Sequence, residues 1–170
     1  LMFVGVLAHQ GAEVALFGGS EQRLLIGQKF GVAQTFNHRQ IESIPQVVKD
    51  LTQGMGADIV VEATGIPKVW ETAIACARPG ATVNLFGGCP RDTKIAVDTE
   101  QLHYSELTLK GVFHNTPFYV RQALDLISSR VLPLELMVND HQPLENLGQV
   151  FEDMKQRKTI KAAITPIQNP

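Results

Sequence analysis

Three runs of this chain close a short, β-branched apolar stretch with glycine: EVALFGGS at 13–20, GADIVVEATG at 56–65 and GATVNLFGG at 80–88. Strands that are apolar at nearly every position are covered on both faces, and their alternation with helical patterns predicts repeated βα units of a parallel sheet. In open sheets of this kind the ligand crevice lies outside the carboxyl ends of the strands, where glycine lets the backbone approach a flat or charged ligand. A dinucleotide-binding domain is the leading reading. No strand followed by GxGxxG stands before the first helical segment.

Composition narrows the class further. A chain of 170 residues with 44% hydrophobic content can build one good core and an appendage to it. The formal net charge is -2 and the 15 basic residues are scattered, which leaves no electrostatic footprint for nucleic acid or an anionic membrane. Cys76 and Cys89 make neither a disulfide framework nor a CxxC metal pattern, and a reducing cytoplasm is the default compartment. The apolar opening LMFVGVLA is less than half of a bilayer span and lacks a basic n-region, so it reads as a buried helix.

Along the chain, residues 1–10 predict that helix, with Gly5 allowing close packing and Gly11 at its stop. A strand at 13–17 leads to Ser20 as N-cap, a helix over 21–30 and a short strand at 34–36. Pro45 suits the first turn of a helix running to about 53, ended by Gly54 and Gly56 before the second glycine-ended strand. PKVWETAIACARPG predicts a helix stopped by Pro79-Gly80, followed by a strand at 81–86. TKIAV and LTLKGVF are strand candidates, and a helix over 119–129 closes the repeating part. Beyond about Val131 come a Pro-punctuated extended segment, a helix after Pro143 and a strand at 160–165. The expected division is a dinucleotide-binding domain over 1–130 and a terminal segment over 131–170, too short for a core of its own, that docks on the sheet domain or on a partner domain.

Taken in order, the first helix, the turn from Ser20 to Arg23, GADIVVEATG, ARPGATVNLFGG, LTLKGVFHNTP and KTIKAAITP resemble the C-terminal, cofactor-binding half of a zinc-type medium-chain dehydrogenase/reductase. Any one of these segments is weak alone; their order and spacing carry the match, which covers essentially the whole chain. The resemblance implies an α/β fold, a Rossmann-type doubly wound, mainly parallel sheet whose first strand and glycine loop would lie immediately before Leu1. It also implies an N-terminal catalytic domain bearing the zinc ligands, a small-molecule alcohol as substrate, and a homodimer or homotetramer formed through the TKIAV and LTLKGVF edge.

The same resemblance assigns a cofactor site. The end of the second family strand, where an Asp selects NAD by bonding the ribose and repelling a 2′-phosphate, is Gly18 here. Ser20 and Arg23 could then hold a phosphate, which favours NADP slightly over NAD; the plain alternative is a helix cap and a solvated arginine, and Glu21 reaching the ribose would restore NAD. Ala63 and Thr64 would line the adenine side and Gly65 would open the turn, while Glu62 reads either as a paired strand-end carboxylate or as a crevice residue. The backbone of Phe86, Gly87 and Gly88 would bond the nicotinamide carboxamide, and Phe113 and His114 would form a second ledge, with His114 turned to substrate or a proton relay. Lys161 would reach the pyrophosphate or stand as an exposed strand lysine.

No catalytic or metal-binding residue is read in the chain itself. Cys76 reads as a small core residue and Cys89 as an exposed one without a neighbouring base; His9, His38, His103 and His141 are too scattered for a shared metal. The expected activity is oxidation of a secondary alcohol (polyol, sugar or threonine-like) by hydride transfer to nicotinamide. Two other readings stay open: a zinc-free quinone or enoyl reductase of the same superfamily, and a nucleotide-binding module without chemistry.

Overall fold

A computed structural model describes residues 1–166 of the chain. In chain order the regular elements are α1 (Met2–His9), β1 (Ala15–Gly18), α2 (Glu21–Lys29), β2 (Gln34–Asn37), α3 (Ile44–Leu51), β3 (Ala57–Glu62) and α4 (Pro67–Ala75). They continue through β4 (Ala77–Leu85), α5 (Thr99–Tyr104), β5 (Thr108–Gly111), α6 (Pro117–Ser128), β6 (Val138–Pro143), α7 (Leu147–Lys155) and β7 (Lys161–Thr165). The fold class is α/β. Two compact units divide it, one over Phe36–Thr116 and one formed by Leu1–Thr35 with the chain from Pro117 onward.

In the first of these, β3, β4 and β5 form a parallel sheet in that order. Ala81, Val83 and Leu85 alternate inward along β4 and, with Ala73 and Ile74 of α4 and Leu107, make a core in which Val83 is fully buried. That alternation puts one face of β4 under α4, as the period of two requires. The pairing aligns Glu62 with Leu85 and Leu85 with Gly111, so all three strands end at one edge of the sheet.

In the second unit Val4 of α1, Phe30, Leu132 and Met137 form the core. Gly5 is small for a reason: a Cβ there would sit 2.5 Å from Phe30 Cδ1. Leu132 and Met137 belong to the tail, which therefore docks on α1 and the end of α2, and within it β6 pairs in parallel with β7.

Three segments depart from the sequence reading. Pro79-Gly80 does not stop α4; the helix ends at Ala75 with Cys76 as its cap, and β4 runs straight through the pair. The register explains how, because Ala57 faces Ala77 while Ile59 faces Thr82, so a bulge on β4 absorbs the proline and Gly80, whose N–H goes to Ser105 O at 2.8 Å. TKIAV forms no strand: Ile95 and Val97 pack on the core, but the Ala96 N–H is taken by Glu71 Oε1 at 3.0 Å instead of by a ladder. The short helix α5 was not read at all, although Asp98 caps it by accepting from the N–H groups of Glu100 and Gln101.

The strand pairing is also divided. β1 and β2 pair with each other, β3 to β5 form their own sheet, and no hydrogen-bonded pairing links β1 to β3 among the described residues. In the doubly wound order 3-2-1-4-5-6, the position between those two strands belongs to the first strand.

Candidate functional site

The sequence-predicted residues fall in two groups, one in each unit. Ala63, Thr64, Gly65, Phe86, Gly87, Gly88, Phe113 and His114 follow the ends of β3, β4 and β5, and the parallel register brings all three loops to one edge. Gly18, Ser20, Arg23 and Lys161 belong to the other unit.

The loops after β3 and β4 meet backbone to backbone. Gly65 is left-handed at φ 71°, and a Cβ on it would fall inside contact distance of Gly88 O. A Cβ on Gly87 would lie 2.7 Å from Thr64 N and 2.8 Å from Glu62 Oε2, and closer still to Gly65 N. Only glycine at both places allows the two loops to touch. The Gly87 N–H donates to Glu62 O at 3.0 Å, and its carbonyl accepts from Trp70 Nε1 at 3.0 Å. Both polar groups of Gly87 are therefore spent inside the protein, and it is a spacer that presents its neighbours Phe86 and Gly88, both exposed.

Glu62 organises this edge. It is only 2% exposed, and Oε1 accepts from Thr64 N and Thr64 Oγ1, each at 2.5 Å, while Gly65 N approaches both carboxylate oxygens at 3.3 Å. Its backbone carbonyl accepts from Phe86 N at 2.9 Å as well as from Gly87 N. No Lys, Arg or His forms an ion pair with it among the described residues; a side chain this buried is paired with the N–H and hydroxyl donors of the turn that follows its own strand. Sequence reasoning also missed Trp70, read only as part of a core face; the signal was the indole N–H, which needs an acceptor when half-buried.

Around this edge Cys89 follows Gly88, and its thiol is pushed up by desolvation first and by the Glu62 charge second. A raised thiol is a poor nucleophile, and Cys89 is half-buried where the sequence reading had it exposed. After β5, Phe113 is 87% exposed, and its ring lies 4.0 Å from that of His114. His114 holds a left-handed φ of 68°; five other non-glycine residues among those described are also left-handed, and histidine is one of the side chains that tolerate it.

In the other unit, β1 ends at Gly18 and α2 starts after Ser20. Ser20 Oγ accepts from Arg23 N at 3.4 Å, so the cap is real; the hydroxyl proton remains to donate elsewhere. A Cβ on Gly18 would sit 3.1 Å from Leu24 Cδ2, so a side chain at this position would need only the tip of Leu24 to shift by a few tenths of an ångström. Lys161 opens β7 opposite Val138 and is exposed. Among the described residues no three His, Cys, Asp or Glu side chains gather into a set able to hold a metal ion. No helix among them is long and apolar enough to cross a membrane.

Known proteins share this architecture. The chain superposes on an alcohol dehydrogenase from Thermotoga maritima with a TM-score of 0.90 at 23% identity, covering 96% of this chain and 46% of that one. A structure from Sinorhizobium meliloti bound to NADP matches with a TM-score of 0.82 at 22% identity over 96% of this chain and 48% of that one. These likenesses show the fold, the doubly wound Rossmann-type domain of alcohol dehydrogenases. In sequence, the L-threonine 3-dehydrogenase of Bacillus subtilis is 28% identical over 168 residues, 98% of this chain and 48% of that protein. The corresponding enzyme of Proteus mirabilis is 24% identical over 165 residues, again 48% of its length, so the chain spans about half of the curated relatives it matches. The family model for zinc-binding dehydrogenases matches residues 1–129, which take in β1 to β5, the three glycine-ended strands among them, and the helices between, and the chain belongs to that family.

Proposed function

We propose that this chain is the cofactor-binding half of an NAD(P)-dependent oxidoreductase that oxidises a secondary alcohol, of the polyol, sugar or threonine type, by hydride transfer to nicotinamide. The observation that carries the reading is the edge where β3, β4 and β5 end together, with Gly65 and Gly87 in backbone contact and Phe86, Gly88, Phe113 and His114 exposed beside them. A flat ring carrying a carboxamide needs such a surface of backbone without side chains. The L-threonine 3-dehydrogenases among the relatives support the threonine-like end of the substrate range.

The divided sheet supports a further strand and glycine loop supplied by chain outside the 170 residues, since the doubly wound order places its first strand between β1 and β3. The zinc of the family's name finds no ligand set among the described residues, so ligands would come from a separate catalytic domain, and this half contributes binding and orientation of the nicotinamide alone. Within it, NADP is favoured over NAD. Gly18 offers no acid, and Ser20 and Arg23 stand together at the first turn of α2, a hydroxyl and a guanidinium of the kind that hold a phosphate. Self-association as a homodimer or homotetramer and a cytoplasmic location complete the proposal; the exposed β5 edge supports the first.

The test starts with the reading frame upstream of Leu1: a strand with GxGxxG and a Cys…His-Glu set there supports the proposal, and a frame without either ends it. With the product of the full frame in hand, titrations of NADPH and NADH by nicotinamide fluorescence decide the cofactor. Tighter NADH than NADPH would remove the phosphate pocket from Gly18, Ser20 and Arg23.

A further inference from the structure

We propose that Glu62 is a positioning residue for the nicotinamide end of the cofactor, clamping the turn after β3 to the backbone ledge after β4; the proposal rests on the dinucleotide reading above. A buried carboxylate with no cation is expensive to keep, and an apolar side chain of similar volume would fill the same space without that cost. What the carboxylate alone supplies is acceptors. Every group aimed at it is a donor: the N–H and hydroxyl of Thr64 and the N–H of Gly65. Its own carbonyl meanwhile receives the N–H groups of Phe86 and Gly87.

One residue thus ties both loops, through its side chain on one side and its backbone on the other. Gly65 then presses on Gly87 and Gly88, whose contact leaves no room for a Cβ on either Gly65 or Gly87. A glutamine at 62 would keep one acceptor oxygen but put an NH2 where Oε2 stands, 3.3 Å from Gly65 N, so that N–H would lose one of its two acceptors and meet a donor there, and the turn would loosen. Because the turn and the ledge touch, that movement is passed to Phe86 and Gly88. The Thr64 hydroxyl, already held by Glu62, acts as part of the clamp, and it also accepts from Ile66 N at 3.3 Å to set the entry to α4.

The experiment uses the full-frame enzyme with E62Q and, in case that variant does not fold, T64V, which removes one donor and leaves the carboxylate in place. Folding is checked by circular dichroism and melting; NADPH and NADH affinities, kcat, the KM for the alcohol and the emission maximum of bound nicotinamide are then measured. A positioning role predicts kcat lowered about tenfold or more by misplacement of the ring, a shifted emission of bound nicotinamide, and an alcohol KM that changes far less. Loss of a mere adenine-side contact would weaken binding while leaving kcat and emission unchanged. A lowered melting temperature with kcat within twofold and unshifted emission, in whichever variant folds, overturns the proposal. Wild-type enzyme that binds neither dinucleotide overturns the functional reading instead, irrespective of what residue 62 does.

Discussion

Adding one methyl group at Gly87 should destabilise the fold of this protein, and adding one at Gly88 should leave its stability unchanged. On Gly87 the new carbon would stand 2.7 Å from Thr64 N and 2.8 Å from Glu62 Oε2, with Gly65 N nearer still, and two of these three neighbours are backbone. Backbone cannot rotate aside as a side chain can, so the loops must separate. Overpacking of this kind costs about 1–3 kcal/mol. Separation also weakens the Trp70 Nε1 to Gly87 O and Gly87 N to Glu62 O bonds, worth about 1 kcal/mol each. The expected loss for Gly87→Ala is therefore roughly 3 kcal/mol, about a hundredfold in the folding equilibrium. Gly88 has nothing within 4 Å of its would-be Cβ and no positive φ, and Gly88→Ala should stay within about 0.5 kcal/mol of the parent. Urea denaturation of the full-frame protein, followed by tryptophan emission, measures both; Trp70, which is bonded to Gly87 O, is the sole tryptophan of the 170 residues. Equal stability of Gly87→Ala and the parent, or equal losses for the two alanines, would refute the reasoning that backbone contact between these loops selects glycine.

Further outcomes follow from the same contacts. Burial raises the Cys76 thiol to about 11, above its value in an unfolded chain, so the neutral form is favoured by folding. Its contribution is fully present below about pH 9 and is lost as pH rises from there through about 11; Cys76→Ala should flatten that part of the stability profile in pH-dependent melts, and an unchanged slope would contradict it. The 170-residue chain on its own should associate or bind a hydrophobic dye, since α6 exposes Phe118, Tyr119, Leu124 and Ile127 and β3 exposes Ile59; a reversible, cooperative melt of a monomer without dye binding would argue against this.

Much of the fold could be read from the chain because local signals agreed with one another. Ser20 and Pro45 marked helix starts that the structure keeps, and the β-branched Ile59, Val60 and Val61 of GADIVVEATG, closed by Gly65, marked β3 as a strand of a parallel sheet. The failures share a cause. Pro79-Gly80 is ordinarily a stop signal, and only pairing with β3 shows that a bulge can absorb it. TKIAV has the composition of a strand, yet its Ala96 N–H finds a carboxylate on α4, a partner 25 residues away in the chain.

The sequence by itself determined the class of the molecule: its βα rhythm, its glycines at strand ends, Gly18 in place of an acid, and the family these features mark. Such properties are local, and periodicity and turn chemistry express them within a few residues. The tertiary structure decided what each glycine is for and which acid matters. That Gly65 and Gly87 make room for one another, that Gly87 spends its polar groups inward, and that Glu62 holds both loops without a cation depend on β3 and β4 ending in register. Those distances arise between segments 17 or more residues apart, where spacing along the chain carries no geometry and only the packed sheet supplies it.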